Sequence, residues 1–212
     1  MSIRKGKNFA FGIHVKDMKE FCRDKPIELM NAPETVCISL SQHIGAPALS
    51  VVNVGDNVKK GQLIGQANGP ISANVYSSIC GEVTAIEDIV NGLGQKQKHV
   101  VIKNNGSNEQ LFFDKMTDFS PSNLVERIRL AGIVGLGGAG FPTAVKLTPK
   151  SQLDILVING AECEPYLNCD YRLMLERTED IYKGIKYTAS ALNVNKIVLG
   201  IEANKPEAIK AF

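Results

Sequence analysis

The sequence predicts an all-β module followed by an α/β domain whose strands form a parallel sheet. Between residues 41 and 104, short apolar runs are separated by Gly, Asn and Asp turn residues, which is typical of strands joined by tight turns. After residue 120 the apolar residues recur with a helical period of about 3.6 residues. Two buried-strand runs follow, each with a helical pattern after it, and this alternation favours a parallel sheet.

Length and composition are those of an ordinary globular protein of one to two domains. The 212 residues are 44 % apolar and 22 % charged, which excludes a disordered tail, a collagen-like fibre and a coiled coil. The net charge of +2 and the absence of Trp give no basis for nucleic-acid binding. No uncharged run reaches the length of a membrane span, and no apolar signal segment follows the first residues. We therefore expect neither a nucleic-acid partner nor a direct membrane span.

The cysteines and histidines form no recognisable metal site. The five cysteines include no CxxC pair, which excludes an iron–sulfur cluster or a structural zinc site built from this chain alone. Their odd number also argues against a disulfide framework and favours a reducing, cytoplasmic location. The histidines, His14, His43 and His99, lie far apart in the sequence, so each is interpreted as a surface or hydrogen-bonded residue.

The β module is predicted over residues 41–106, and residues 1–40 are predicted to form an N-terminal segment that packs on the other domains. Its strand runs are 49–54, 62–64, 81–86 and 99–103. The stretch 54–64 has the turn pattern of a lipoyl- or biotinyl-type sandwich, and residues 75–83 repeat part of it. Carrier domains present a lysine at the tip between such halves, but residues 65–74 contain none. The sequence therefore predicts a structural or docking module without a covalently attached group.

The α/β domain is predicted over residues 120–212. Its elements are, in order, a helix from Ser120 and Pro121 to Gly132, a strand at 154–158, a helix from Thr178, a strand at 196–201 and a helix from Asn204. The first helix has an N-cap residue, a proline at its first position and a glycine that can end it. The last helix has only about two turns before the sequence ends. This ending suggests an α/β domain that is truncated at its C-terminus, and a short final helix explains it equally well.

A glycine-rich segment at 135–146, Gly-Leu-Gly-Gly-Ala-Gly-Phe-Pro-Thr-Ala-Val-Lys, is the first candidate ligand site, and we call it the glycine loop. It satisfies the GxGxxG spacing of dinucleotide-binding folds, but Pro142 and Pro149 leave no room for the long helix that such a site needs. Closely spaced glycines instead expose backbone N–H groups that can surround a phosphate, to which a lysine adds positive charge. The candidate phosphate-binding residues are Gly135, Gly137, Gly138, Gly140 and Lys146. A tight turn without a ligand is the alternative.

A second candidate, Asn-Gly-Ala-Glu-Cys-Glu-Pro-Tyr at 159–166, directly follows the first buried strand, and we call it the acidic loop. In a parallel sheet, ligands bind beyond the carboxyl ends of the strands, where this loop would lie. Asn159 can both donate and accept hydrogen bonds, which suits the imide edge or the ribityl chain of a flavin. Glu162 and Glu164 are interpreted as part of the same site, with a solvated acidic turn as the alternative. Cys163 has no His nearby in the sequence, so a catalytic thiol is not predicted.

Together, the glycine loop and the acidic loop resemble the C subunit of the Rnf electron-transport complex, a ferredoxin:NAD oxidoreductase coupled to ion transport. Residues 42–47, the turn at Gly55 and Asp56, and residues 170–174 and 201–209 support the resemblance, which covers nearly the whole chain. More distantly, residues 135–166 are similar to the NADH-oxidising flavoprotein subunit of respiratory complex I.

The resemblance implies a lipoyl-like barrel sandwich followed by a partial Rossmann-like α/β domain that binds FMN and NAD(H). It assigns the FMN phosphate to Gly135, Gly137, Gly138, Gly140 and Lys146. Asn159 and Glu162 would face the flavin, and Glu164, on the nicotinamide side, is the candidate catalytic residue. The flavin would exchange a hydride with NADH or NAD and single electrons with iron–sulfur clusters. In the family, the [4Fe–4S] clusters belong to a later part of the protein, and no metal ligand is assigned in this chain.

The resemblance also implies partners and a location. The expected partners are other subunits of a membrane electron-transport complex or a soluble reductase, together with ferredoxin-like electron carriers. The expected location is cytoplasmic, at the cytoplasmic face of the membrane where a complex is present.

Departures from the family pattern leave alternatives open. The complex I pattern has Asp where this chain has Ala161 and Arg where it has Leu136. Rnf C subunits usually open with Gly-Gly-Ile-His-Pro, where residues 11–15 are Phe-Gly-Ile-His-Val, and they have His-Ala-Pro where residues 76–78 are Tyr-Ser-Ser. A soluble Rnf-C-like electron carrier, such as one that serves proline reductase, is the first alternative. A non-enzymatic docking module is the second.

Overall fold

The computed structural model describes residues 15–136, 138 and 140–212, and the chain divides into two compact units. The larger unit consists of residues 29–156 and 184–197, and we call it the sandwich unit. The smaller one contains residues 15–28, 157–183 and 198–212, and we call it the acidic-loop unit. No helix in the described part of the chain is long and apolar enough to cross a bilayer.

Antiparallel strands of two to ten residues build the β part of the sandwich unit. In chain order they are β1 (Thr35–Ser39), β2 (Leu49–Ser50), β3 (Asn57–Val58), β4 (Leu63–Gln66), β5 (Val75–Tyr76), β6 (Gly81–Val90) and β7 (Lys96–Asn104). One sheet has the order β1-β7-β6-β3 and the other the order β2-β4-β5. The core of this part includes the fully buried side chains of Leu40, Ile64, Val83, Val100 and Ile102. The predicted all-β module is therefore confirmed.

The turn at Gly55 and Asp56 shows how a local signal fixes the fold of this module. Gly55 has a φ of 94°, a left-handed conformation that glycine adopts without steric cost. The Asp56 carboxylate accepts a hydrogen bond from the Asn53 N–H at 2.8 Å. Gly55 N–H donates to Val83 O at 2.8 Å. The turn thereby places β3 beside β6 at the edge of the four-stranded sheet.

β1 lies before residue 41, where the module is predicted to start. It pairs with β7 along its whole length, so the sheet extends into the predicted N-terminal segment. Val36 and Ile38 alternate with polar residues and pack into the core. This alternation is a strand signal. Because the run is short and follows Pro33 in a segment of mixed composition, the sequence alone does not predict this strand.

Five α-helices and two strands follow in the described part of the chain. They are α1 (Pro121–Leu130), α2 (Thr143–Lys146), β8 (Ile155–Gly160), α3 (Cys169–Glu176), α4 (Thr178–Leu192), β9 (Lys196–Ile201) and α5 (Pro206–Ala211). α1 begins at Pro121, and Gly132 follows its end with a φ of 65°, as the sequence predicts. The Ser120 side chain makes no cap bond; instead its backbone N–H donates to Asp118 Oδ1 at 2.8 Å. α3, which has eight residues, is not among the predicted elements.

β8 and β9 are neighbours in a sheet. A methyl group built on Gly160, at the end of β8, would lie 3.3 Å from Ile201, at the end of β9. The carboxyl ends of the two strands are therefore side by side, as in a parallel pair. Tyr171, Met174 and Ala208 form a core between α3 and α5 in the same unit. This arrangement puts the acidic loop, which follows β8, at the carboxyl edge of the strands.

Candidate functional site

The glycine loop belongs to the sandwich unit. Gly135 N–H donates to Phe141 O at 3.0 Å, so this donor is already used within the loop. Gly138 is exposed, and a methyl group built on it would meet no atom within 4 Å. The candidate residue Gly137 lies outside the described residues. The described part of the loop is a hydrogen-bonded turn with open space at Gly138.

Gly140 has a packing reason to be glycine. It is buried and has a φ of 64°, in the left-handed region. A methyl group built there would lie 2.9 Å from both Gln42 O and His43 Cα, so a side chain would clash with backbone. Gly140 O accepts a hydrogen bond from Ile44 N–H at 3.3 Å. Close approach to residues 42–44 accounts for this glycine, and its role in phosphate binding stays a prediction.

Lys146, at the end of α2, reaches back over the glycine loop. Its Nζ lies 3.6 Å from a methyl group built on Gly135 and 5.9 Å from the centroid of the Phe141 ring. The side chain is exposed and has no carboxylate partner among the described residues. The structure thus brings the candidate cation and the candidate glycines together.

The sandwich tip, residues 65–74, ends against α1. Asn74 Nδ2 donates to Leu130 O at 3.1 Å, and the Tyr76 hydroxyl donates to the same oxygen. A methyl group built on Gly132 would overlap the backbone oxygen of Asn74, so the two backbones are in close contact. The sandwich tip is therefore tied to α1 within the sandwich unit.

A cavity of about 330 Å³ lies beside this tip, lined also by residues of α1 and α2. Its lining is mostly apolar and includes Val125, Ile133 and Val145. None of the described candidate phosphate-binding residues lines it. We therefore place no cofactor in this cavity.

The described histidines are hydrogen-bonded within the sandwich unit. His43 is buried; its Nε2 accepts a hydrogen bond from Ala73 N–H at 3.1 Å, and its Nδ1 lies 3.2 Å from Ile44 O. His99 Nδ1 lies 2.7 Å from Gln97 O. His14 lies outside the described residues.

The acidic loop starts at the carboxyl end of β8, in the acidic-loop unit. Asn159 Oδ1 accepts a hydrogen bond from Ala161 N–H at 3.0 Å, which stabilises the turn after the strand. Glu162 is only 3 % exposed, whereas Glu164 and Cys163 are exposed. A solvated acidic turn therefore describes Glu164 but not Glu162.

One oxygen of the buried Glu162 carboxylate is hydrogen-bonded and the other is not. Oε1 accepts from the Cys169 thiol and from Asp170 N–H at the start of α3, each at 3.0 Å. Oε2 is buried without a hydrogen-bond partner among the described residues. Burial raises the pKa of Glu162, but hydrogen bonds from Cys169 and from the Asp170 and Tyr171 backbone outweigh it, and the pKa lies below its usual range. Glu162 is thus a buried, ionised carboxylate with one free acceptor.

Cys169 and Asp170 complete this acidic environment. The pKa of the Cys169 thiol is raised, chiefly by its hydrogen bond to Glu162, which makes it a poor nucleophile. Desolvation raises the pKa of Asp170, and the nearby charges of Glu162 and Glu164 raise it further. A cavity of about 230 Å³ in the same unit is lined by Asp170 together with Asn159.

The structure brings the sequence candidates together in two groups. The described phosphate candidates Gly135, Gly138, Gly140 and Lys146 lie in the sandwich unit, and Asn159, Glu162 and Glu164 lie in the acidic-loop unit. Sequence reasoning missed Cys169 and Asp170 because it missed α3. It also missed Lys19, whose side chain donates to the backbone oxygen of Glu162 and for which no sequence pattern gives a signal.

Two family models match the chain. Residues 7–107 match the RnfC barrel sandwich hybrid domain, and residues 128–212 match the Nuo51 FMN-binding domain. The chain therefore joins a segment similar to the RnfC barrel sandwich to a segment similar to the Nuo51 FMN-binding domain. Its FMN-binding match contains both the glycine loop and the acidic loop.

Curated relatives agree with these matches. The C subunit of a proton-translocating ferredoxin:NAD+ oxidoreductase complex from Clostridium ljungdahlii is 44 % identical over 97 % of this chain and 46 % of its own length. The C subunit of an ion-translocating oxidoreductase complex from Rhodobacter capsulatus is 42 % identical, over 95 % of this chain and 40 % of its own length. A Na+-translocating counterpart from Acetobacterium woodii is 38 % identical, over 100 % and 49 % respectively. The chain spans about half the length or less of these RnfC relatives.

The RnfC match and the compact units divide the chain at different places. The barrel-sandwich match begins at residue 7 and so includes residues 17–27, yet these residues belong to the acidic-loop unit. The sandwich unit, in turn, extends through α1 and α2 to residue 156, well into the FMN-binding match. The segments that match the family models and the compact units of the structure are therefore not the same.

Proposed function

We propose that this chain is the FMN- and NAD(H)-binding part of an electron-transfer subunit of the Rnf C type. Its relatives are named as C subunits of ferredoxin:NAD+ or ion-translocating oxidoreductase complexes. The observation that carries the proposal is the buried, ionised Glu162 with a free acceptor oxygen, inside a segment that matches an FMN-binding domain. A buried carboxylate oxygen requires a donor, and the imide N–H of a flavin is one.

The glycine loop suits the phosphate end of FMN. Gly138 leaves open space for close approach, and the Lys146 ammonium lies beside Gly135. Backbone N–H groups together with a lysine form the kind of cradle that binds phosphate. We assign the FMN phosphate to Gly135, Gly137, Gly138, Gly140 and Lys146.

The acidic loop suits the ring end of FMN. Asn159 and Glu162 would bind the ring through the side-chain amide and Oε2. Bound FMN supplies hydride transfer and single-electron transfer in one group. Glu164, which is exposed, would contact the nicotinamide, where its negative charge stabilises the positively charged ring of NAD+.

In the whole protein, these residues would link NAD(H) to iron–sulfur clusters that lie outside this chain. Ferredoxin-like carriers and other subunits of a membrane complex would be the partners, at the cytoplasmic face of the membrane. A partial Rossmann-like domain would hold the FMN. The lipoyl-like sandwich would support it without an attached group, and the hydrogen bond from Asn74 to Leu130 O supports that structural role.

Anaerobic titration of the full-length protein with FMN, followed by absorbance and flavin fluorescence, tests this function. We expect a yellow protein whose flavin bleaches when NADH is added. Glu162→Gln removes the carboxylate charge at nearly constant shape and should weaken FMN binding about tenfold. Glu179→Gln, at an exposed position of α4, is the matched control and should bind FMN as the unaltered protein does. A full-length protein that binds no added FMN would refute the proposal.

A further inference from the structure

The segment 17–27, which we call the N-terminal strap, packs on the acidic loop and on α3. Tyr166 N–H donates to Asp17 O at 2.8 Å, and the Cys22 thiol donates to Tyr166 O at 3.2 Å. The rings of Phe21 and Tyr166 stack with centroids 6.3 Å apart and an interplanar angle of 8°. At its other end, Ile27 N–H donates to the Glu176 carboxylate on α3. The strap therefore holds the acidic loop from the side of α3.

Lys19 is the buried residue at the centre of this contact. It is only 4 % exposed and lies in a 3-10 turn, Lys19–Phe21. Its Nζ donates to the backbone oxygen of Glu162, and its own backbone oxygen accepts from Asn168 Nδ2 at 2.8 Å. One residue thus connects the middle of the acidic loop to the residue that precedes α3. Burial of an ammonium group is costly unless the group is hydrogen-bonded, so this contact calls for an explanation.

We propose that Lys19 is a positioning residue of the acidic loop, whose ammonium fixes the peptide group between Glu162 and Cys163 and so presents both glutamates to the flavin and the nicotinamide. This inference deepens the proposed function and rests on it. Lys19 acts through the loop and does not itself contact a cofactor.

The geometry of the peptide bond shows what Lys19 controls. In a trans peptide the C=O and the following N–H point in opposite directions. Holding the Glu162 oxygen toward Lys19 therefore directs the Cys163 N–H away from it. Glu162 directly precedes this peptide, and the exposed Glu164 follows it one residue after Cys163. A rotation of the peptide would move both side chains.

Lys19 also contributes a positive charge to the electrostatics of the loop. The charged and titratable groups around Glu162 are Lys19 from the strap, Cys169 and Asp170 from α3, and Glu202 after β9. Glu164, from the loop, acts on Asp170. Among these groups Lys19 is the cation, and its charge lowers the pKa of both Glu162 and Asp170. Loss of that charge should therefore make both carboxyl groups easier to protonate.

Lys205 provides a matched control for the loss of a buried ammonium. It is 2 % exposed and belongs to the same unit. Its Nζ lies 3.5 Å from Asn168 Oδ1 and 4.5 Å from the centroid of the Tyr171 ring. Lys205→Met and Lys19→Met thus remove the same group from the same neighbourhood, but only the second removes the bond to the Glu162 oxygen.

The test compares hydrogen–deuterium exchange and Glu162 titration in the whole 212-residue chain. In Lys19→Met we expect the rate of backbone hydrogen exchange in residues 163–167 to rise about tenfold. We also expect the Glu162 carboxyl group to titrate at higher pH than in the unaltered chain, as measured by carboxyl ¹³C NMR. In Lys205→Met both should stay as in the unaltered chain. Equal changes in the two variants, or none in Lys19→Met, would overturn the proposal. A Glu162 that titrates in its usual range in the unaltered chain would also overturn it, even if Lys19→Met did not fold.

A second measurement uses the full-length protein loaded with FMN. Lys19→Met should raise the KM for NADH and shift the reduction potential of the flavin, whereas Lys205→Met should change neither. Lys19→Arg keeps the positive charge and the hydrogen-bond donors, so the pKa of Glu162 should stay low in this variant. If the full-length protein bound no FMN, the proposed function would fail, while the exchange and titration results on the 212-residue chain would still decide what Lys19 does to the loop.

Discussion

Lys146 is the residue on which the phosphate assignment depends most directly. Its ammonium lies over the glycine loop without a carboxylate partner in the described residues. Lys146→Ala should weaken FMN binding by roughly 10- to 150-fold, which corresponds to one charge-assisted contact of about 1.5–3 kcal/mol. Fluorescence quenching of FMN by the full-length protein measures the effect. Lys150→Ala, at an exposed position four residues further on, is the control, and equal affinities for the two variants would contradict the assignment.

Glu164 is expected to act on a different ligand from Lys146. It is exposed, so its loss should leave the buried end of the acidic loop intact. Glu164→Gln should keep FMN bound and slow flavin reduction by NADH, because the negative charge beside the nicotinamide is lost. Stopped-flow bleaching of the flavin measures the rate. Loss of flavin from Glu164→Gln, with tight flavin binding in Lys146→Ala, would show that the two loops have the opposite roles.

Glu162 should also couple stability to pH. Its pKa in the folded chain lies below its ordinary value of 4.5, so the charged carboxylate stabilises the folded state above that pH. This contribution is lost as the pH falls through the folded-state pKa. The free energy of unfolding, measured by urea titration, should therefore fall less steeply below about pH 4.5 in Glu162→Gln than in the unaltered chain. Parallel curves for the two proteins would contradict the shifted pKa.

At the scale of elements, the glycine loop is held by its packing on residues 42–44. Gly140→Ala adds a methyl group 2.9 Å from backbone atoms and places Ala in the left-handed region. The left-handed conformation alone costs about 1–2 kcal/mol, so we expect a loss of at least that size in thermal or urea unfolding. Gly138→Ala meets no atom within 4 Å and should change stability little. Equal stabilities of the two variants would show that the loop does not pack on this segment.

The elements show which parts of the fold a sequence can predict. α1 and β9 lie where the pattern places them, because a Ser-Pro start and a continuous apolar run are local signals. The prediction that β9 is a buried strand is wrong, since its residues are exposed or half-buried. β1 and α3 were missed because each is short and gains its stability from partners distant in sequence, β7 for the strand and α5 for the helix. For the same reason the sequence indicates Glu162 but not Lys19, since their contact joins residues 143 positions apart.

At the scale of the whole molecule, the sandwich should carry no covalent group. Its tip has no lysine, and the contacts of Asn74 and Tyr76 with Leu130 O hold its end against α1. A prosthetic group on a carrier domain needs a freely exposed lysine. Intact-mass measurement of the protein from its native host should therefore give the mass of the polypeptide chain without a lipoyl or biotinyl addition. Such an added mass on any lysine would contradict this prediction.

The contact between the sandwich tip and α1 has a consequence for how the protein can be cut. The barrel-sandwich match ends at residue 107, but the oxygen that Asn74 and Tyr76 bind belongs to Leu130. Excision at the boundary of the match would thus leave the donors of Asn74 and Tyr76 without their acceptor. It would also remove Gly132, whose backbone packs against that of Asn74. The smallest segment that folds autonomously should therefore be longer than the barrel-sandwich match. It should reach at least past Gly140, whose backbone meets residues 42–44.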